Sequence, residues 1–116
     1  TDLGLTHIKG LNNLQSLNLY DTQITDKGLD NLKGLKNLRT LKLGRTRVTD
    51  AGMVHLEGMT NLQTLSLIYT DITDLGLTHI KGLKNLKTLH LDEWTLFSET
   101  SIADLKRALP NCKIIH

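Results

Sequence analysis

The five histidines are the residues of this chain best suited to metal or proton chemistry, and their spacing divides them into two groups. His7, His55 and His79 recur at one slot of a repeating pattern, with Asn31 at the remaining place. A metal ion needs ligands that converge at short range. A stacked column with a gap does not converge, so these residues read as solvated or half-buried helix positions. His90 and His116 form the sharper pair. If the last strand keeps the register of the others, His116 lies beside His90, near Asp92 and Glu93. Two imidazoles and two carboxylates suit a divalent cation. A flexible chain end opposes that reading, and no metal is assigned. Ser16, Ser66, Ser98 and Ser101 have no histidine and acid at a nucleophile–base spacing. The glycines are spread one or two per repeat and never gather into a phosphate-binding loop. Cys112, the one cysteine, falls at the place of a strand leucine and reads as a small buried hydrophobe. Neither catalysis nor a cofactor is expected.

The elements that must position these residues come from a repeat. Thr-Asp recurs at Thr1-Asp2, Thr25-Asp26, Thr49-Asp50 and Thr73-Asp74, a spacing of 24, and residues 1–11 return letter for letter at 73–83. In the unit 25–48, Asp26 falls where a helix N-cap is needed. Leu29, Leu32 and Leu35 are spaced for one helical face. Gly34 is placed for a left-handed C-terminal cap. Leu38, Leu41 and Leu43 follow, and the alternation at 41 and 43 reads as a very short strand. A two-turn helix and a three-residue strand cannot bury their leucines alone, whereas stacked units can. Gly4, Gly28, Gly52 and Gly76 recur in the first helical turn, where glycine is unfavourable. Neighbouring units are therefore expected to approach too closely there for a Cβ.

The stretches "LQSLNLYDT", "LRTLKLGRT" and "LQTLSLIYT", together with the recurring "TDxGL", resemble leucine-rich repeats, in particular the 24-residue bacterial/GALA-like or cysteine-containing-like subclass. The resemblance is strong over residues 1–96. It implies an α/β, right-handed solenoid shaped as a horseshoe arc, with a short parallel sheet on the concave face and helices on the convex face. It also implies that Thr22, Thr46 and Thr70, at a place often held by Asn, bond loop backbone in a ladder. Residues 1–116 then form one domain of about four repeats over 1–96 and a C-terminal cap over 97–116. In that cap Ile102, Leu105 and Leu109 suit a helix capped by Ser98 or Thr100 and stopped by Pro110. Cys112 and Ile115 stand in for the two strand leucines. No N-terminal cap precedes the first leucines, so their edge is expected to be covered by further repeats, by another domain, or by self-association.

Net charge is only +2, which disfavours an electrostatically driven nucleic-acid binder, and no apolar run approaches a membrane span. The single thiol and the absence of Asn-x-Ser/Thr favour the cytoplasm over secretion, although the compartment is otherwise unknown. Function must then reside in what the sheet displays. Across units, the strand-facing rows read Ser16, Thr40, Thr64, Thr88, and then Asn18, Lys42, Ser66, His90. The strand exits read Tyr20, Gly44, Ile68, Asp92, and then Asp21, Arg45, Tyr69, Glu93. The first row is uniform and the others vary. Tyr and Trp are favoured interface anchors. The expected role is non-catalytic protein binding by the concave sheet and exit loops, with Tyr20, Lys42, Arg45, Tyr69, His90 and Trp94 as contact residues and an unidentified protein as partner. Asp21 and Arg45 are expected to pair at the surface. The alternative is a structural spacer or substrate-recognition segment of a larger effector or ubiquitin-ligase-like protein whose activity lies upstream.

Overall fold

Leucines spaced by three, then by two, give each unit two phases. The computed structural model, which describes residues 1–93 and 97–116, folds them as one helical segment and one strand. Helices α1 (Asp2–Leu5), α2 (Asp26–Leu29) and α3 (Asp74–Leu77) are single turns, each passing directly into a 3₁₀ turn at Thr6–Ile8, Asp30–Leu32 and Thr78–Ile80. In the third unit all of Asp50–Leu56 is 3₁₀. The helix is therefore not the two α turns that the leucines suggested. The reason is in their spacing. Leu29, Leu32 and Leu35 step strictly by three, with no fourth-residue step, and a 3₁₀ helix brings residues i and i+3 into line. All three are buried.

The strands β1 (Ser16–Asn18), β2 (Thr40–Lys42), β3 (Thr64–Ser66), β4 (Thr88–His90) and β5 (Lys113–Ile115) make one parallel sheet in chain order. Register follows the repeat, with Ser16, Thr40, Thr64 and Thr88 in one row and Asn18, Lys42, Ser66 and His90 in another. Leu41, Leu65 and Leu89 point into a single core shared with the helical leucines. The first unit is less enclosed: Ile8, Leu14, Leu17 and Leu19 are half-buried, and Leu11 is 50% exposed where its counterpart Leu35 is 1% exposed.

Between units the recurring Thr-Asp pair has a role other than the one its sequence suggested. The N-cap is Thr25, not Asp26. Asp26 reaches forward to the next unit, where Oδ1 accepts from the Thr49 N–H at 2.6 Å and Oδ2 from the Thr49 hydroxyl at 2.5 Å. Asp2 makes the same pair with Thr25, Asp50 makes it with Thr73, and Asp74 accepts from the Ser98 N–H at 3.0 Å. This ladder explains the helical glycines. A Cβ at residue 52 would lie 2.9 Å from Asp26 Cγ and 3.1 Å from its Cα, with Oδ1 closer still, and residues 28 and 76 meet Asp2 and Asp50 in the same way. The close approach expected at Gly28, Gly52 and Gly76 is real, and its cause is the carboxylate of the preceding unit. Gly4 has only Thr1 Oγ1 nearby, at 3.6 Å.

Three further expectations change. Gly34 is not left-handed, and no glycine is; the chain turns instead through Leu35 N–H to Leu32 O at 3.0 Å and Lys36 N–H to Gly34 O at 2.9 Å. Thr22, Thr46 and Thr70 do bond loop backbone, but each donates within its own unit, to Leu19, Leu43 and Leu67 O at 2.7, 2.7 and 2.6 Å. The rungs that cross units are made by Asn37, Asn61 and Asn85, which donate to backbone carbonyls of the preceding unit at 2.6–2.8 Å. In the cap, helix α4 (Glu99–Ala108) is capped by Ser98, whose hydroxyl accepts from the Ser101 N–H at 3.0 Å. Cys112 occupies the first leucine place as expected, its N–H bonding Leu109 O as that of Leu86 bonds Leu83 O. From Leu86 to Leu89 is three residues, but the chain reaches the sheet two residues after Cys112. Ile114 therefore pairs with Leu89, and Ile115 with His90.

Candidate functional site

That slip of one residue separates the histidine pair. Ile115, not His116, stands beside His90, and His116 moves on to border a hollow with Asp92 and Glu93. Among the described residues no three His, Cys, Asp or Glu side chains are grouped to hold a metal ion. The helical histidines act locally across the unit boundary: His79 Nδ1 meets Glu57 Oε1 at 2.5 Å, and His55 Nδ1 lies 3.7 Å from Asp30 Oδ1. Asp30 is held below the usual carboxylate range, first by its bond to Lys33 at 2.7 Å. Cys112 is half-buried, and desolvation raises its thiol pKa.

The open face of the sheet brings together five of the six residues singled out from the sequence. Tyr20, Lys42 and His90 line a hollow of about 290 Å³ with Asn18, Thr64, Ser66 and Ile68. Tyr20 is also the wall of a second hollow with Arg45 and Tyr69, and Ile68 and Tyr69 border the one that holds Asp92 and His116. The surface is thus continuous from Lys42 to His90. Trp94, the sixth, lies outside the described residues. Tyr20 is 40% exposed and Tyr69 is 53% exposed. Arg45 Nε and Asp21 Oδ1 lie 3.6 Å apart and both are well exposed, a pair contributing under about 1 kcal/mol.

Two features of this face were not read from the sequence. The first is Gly44. A Cβ there would stand 2.8 Å from Tyr20 Cδ2 and 2.9 Å from Ile68 Cγ1, so the two bulky neighbours close over bare backbone. A glycine between bulky residues in the row Tyr20, Gly44, Ile68 was the available signal. The second is backbone conformation. Asp21, Arg45 and Tyr69, equivalent in successive units, have φ of 57°, 54° and 55°. Each turns the chain off the sheet, and two of the N–H groups bond the next unit, Asp21 N–H to Gly44 O at 2.9 Å and Arg45 N–H to Ile68 O at 3.0 Å. Side chains other than Gly, Asn and Asp disfavour this region.

With this geometry in hand, comparison with known proteins is direct. A leucine rich repeat family model matches residues 36–93, half of the 116-residue chain, and a second matches residues 10–33. No curated protein matches the sequence. Among solved structures, actin-binding site 2 of leiomodin-1 is 15% identical with a TM-score of 0.73, over 97% of this chain and 76% of that one. A leucine-rich-repeat protein of Leptospira interrogans is 26% identical, TM-score 0.72, over 96% and 27%. The plant peptide hormone receptor RGFR1, solved in complex with RGF2, is 18% identical, TM-score 0.53, over 95% and 21%. This chain spans about a quarter of the Leptospira chain and a fifth of the receptor chain. The repeat, the five-stranded parallel sheet in chain order and the family match agree: the chain belongs to the leucine-rich-repeat family and folds as its α/β solenoid.

Proposed function

We propose that the chain is a non-catalytic protein-interaction module of the 24-residue bacterial-type subclass, which binds a partner protein on its concave sheet and strand exits. The observation that carries this reading is the continuous surface of Lys42, Tyr20, Arg45, Tyr69, Ile68 and His90, in which both tyrosines are exposed on a rigid sheet. Exposed aromatic anchors beside cations are the residue types that dominate binding energy at protein interfaces. Two structural neighbours support the reading by analogy, one an actin-binding site and the other a receptor with its peptide hormone. Trp94, outside the described residues, is included on its place in the sequence alone.

The test is capture from a lysate of the source cell by the wild-type chain and by a folded Tyr20→Ala, Tyr69→Ala, Trp94→Ala form. A partner held by the first and lost by the second supports the reading; equal capture refutes it. A second reading has its own observation. The first unit leaves Leu11 half exposed and its strand leucines half-buried. That face suits a further repeat or domain, and this segment would then be the spacer or recognition arm of a larger protein. Self-association through the same edge is its competing form, and the two are separated by the mass of the chain in solution over a concentration series.

A further inference from the structure

Half of the chain's cations fall in one unit, and four of them follow one another along a single strand and its exit: Arg39, Lys42, Arg45 and Arg47. All four are exposed. Among the described residues only Arg45 has an ion pair, the loose and exposed contact with Asp21. The positions that flank Arg39 and Lys42 in the neighbouring units are neutral: Gln15 and Asn18 on one side, Gln63 and Ser66 on the other. Beside Arg45 and Arg47 the sign reverses, with Asp21 in the first unit and Asp71 in the third, and in the fourth unit Lys87 repeats the Arg39 place while Asp92 and Glu93 follow the strand. The positive stripe is therefore concentrated in one repeat and bracketed by carboxylates at its exit end. Beside it lies the hollow where Tyr20 and Ile68 close over Gly44.

Resting on the concave-face reading above, we propose that the ligand is an extended acidic segment of a partner protein. One apolar side chain of the segment enters the hollow that Tyr20, Lys42, Ile68 and His90 line, and its neighbouring carboxylates meet Lys42 and Arg45. Three features favour a short peptide over a longer polyanion. The bracketing carboxylates repel a phosphate chain that runs past one unit. The hollow takes a side chain. And Lys42 and Arg45 flank the strand exit of one repeat, so a short segment of a few residues reaches both. Arg45 is held at φ 54°, a conformation that a glycine would adopt more easily, so its side chain is retained against backbone preference.

The experiment is selection of random twelve-residue peptides displayed on phage against the intact chain at physiological salt. Competitors are a twenty-nucleotide oligouridylate and phosphatidylserine vesicles. Enrichment of an apolar residue flanked by Asp or Glu is expected. Its binding should fall about tenfold or more in Lys42→Gln and Arg45→Gln and weaken steeply with salt. A folded Lys42→Glu, Arg45→Glu form should select basic peptides instead. Enriched peptides without carboxylates that are still lost on Tyr69→Ala would overturn the acidic ligand and leave the concave face standing. Acidic peptides indifferent to Lys42, Arg45 and both tyrosines would overturn both readings. Retention of the oligouridylate or the vesicles by this stripe, with no acidic peptide enriched, would assign it to another polyanion and overturn the proposal.

Discussion

Gly52 and Asp26 give the most direct test of how the units are joined. Asp26→Ala removes two bonds from a half-buried carboxylate to Thr49, at 2.6 and 2.5 Å. Hydrogen bonds to a charged acceptor contribute about 1.5–3 kcal/mol each where they are shielded, and less as water replaces them, so a loss of roughly 2–4 kcal/mol is expected. Gly52→Ala drives a methyl into the same carboxylate. Overpacking costs about 1–3 kcal/mol, offset by roughly 0.5–1 kcal/mol because alanine is the better helix residue. The two changes should not add. Once the carboxylate is gone, the Cα of residue 26, at 3.1 Å, is all that remains of the three nearest atoms, and a few tenths of an ångström of movement relieves it. The double variant should therefore be more stable than the sum of the singles by about 1–2 kcal/mol. Urea unfolding of the four proteins measures this directly, provided the slopes agree. Additivity within about 0.5 kcal/mol would refute the reasoning and leave the recurring glycine without a cause.

Arg45→Gly and Tyr69→Gly should each raise thermal stability, by about 0.5–1 kcal/mol, because glycine adopts φ near 55° without a Cβ clash. The same two variants should bind the partner more weakly, and a fall in melting temperature would show that the left-handed turn costs nothing here. Asp74 provides a pH test. The Ser98 N–H, and then its hydroxyl, hold this carboxyl below the usual range, so the stability it contributes is present above the ordinary carboxylate pKa and is lost as pH falls through the lower folded value. Protection of the Ser98 amide and of α4 from exchange, taken relative to the intrinsic rate, should therefore fall below about pH 4 in the wild type, and Asp74→Asn should abolish that pH dependence.

What the sequence made legible follows from translation. A parallel ladder between identical units has a register fixed by the period, so a spacing of 24 is enough to place Ser16 beside Thr40 and Asn18 beside Lys42. That is why five of the six candidate residues fall on one surface. The readings that failed include a residue whose partner is not its near neighbour, a spacing shared by two kinds of helix, and a spacing that breaks. Thr-Asp before a leucine run looks like a capping signal, and only contact with the next unit shows Asp26 bonding a residue 23 positions on. The step of three from Leu29 to Leu32 to Leu35 fits an α stripe loosely and a 3₁₀ stripe well, a distinction that a count of leucines does not make. In the cap, one residue fewer after Cys112 moves Ile115 from the core to the solvent row, as any slip of one does in a strand.

The strand exit shows how one repeat serves two demands that conflict in most small folds. The backbone needs a left-handed residue there, and the cheapest choice is glycine. In the second unit glycine is indeed present, but one residue early: Gly44 precedes the left-handed Arg45. At 44 it makes room for Tyr20 and Ile68 to meet, and at 45 a large cation accepts the unfavourable conformation. In the third unit Ile68 fills the glycine's place and Tyr69 takes the strained one. The rungs that hold the units together run along the helical side and are the same from Asp2–Thr25 to Asp50–Thr73, with Ser98 in the threonine's place at the last boundary. Because those rungs fix the stacking, the exit row is free to differ from unit to unit, and the strain it carries is confined to residues whose side chains face the proposed ligand. If selection acted on stability alone, these positions would drift to Gly or Asn, since either relieves the turn without disturbing a rung.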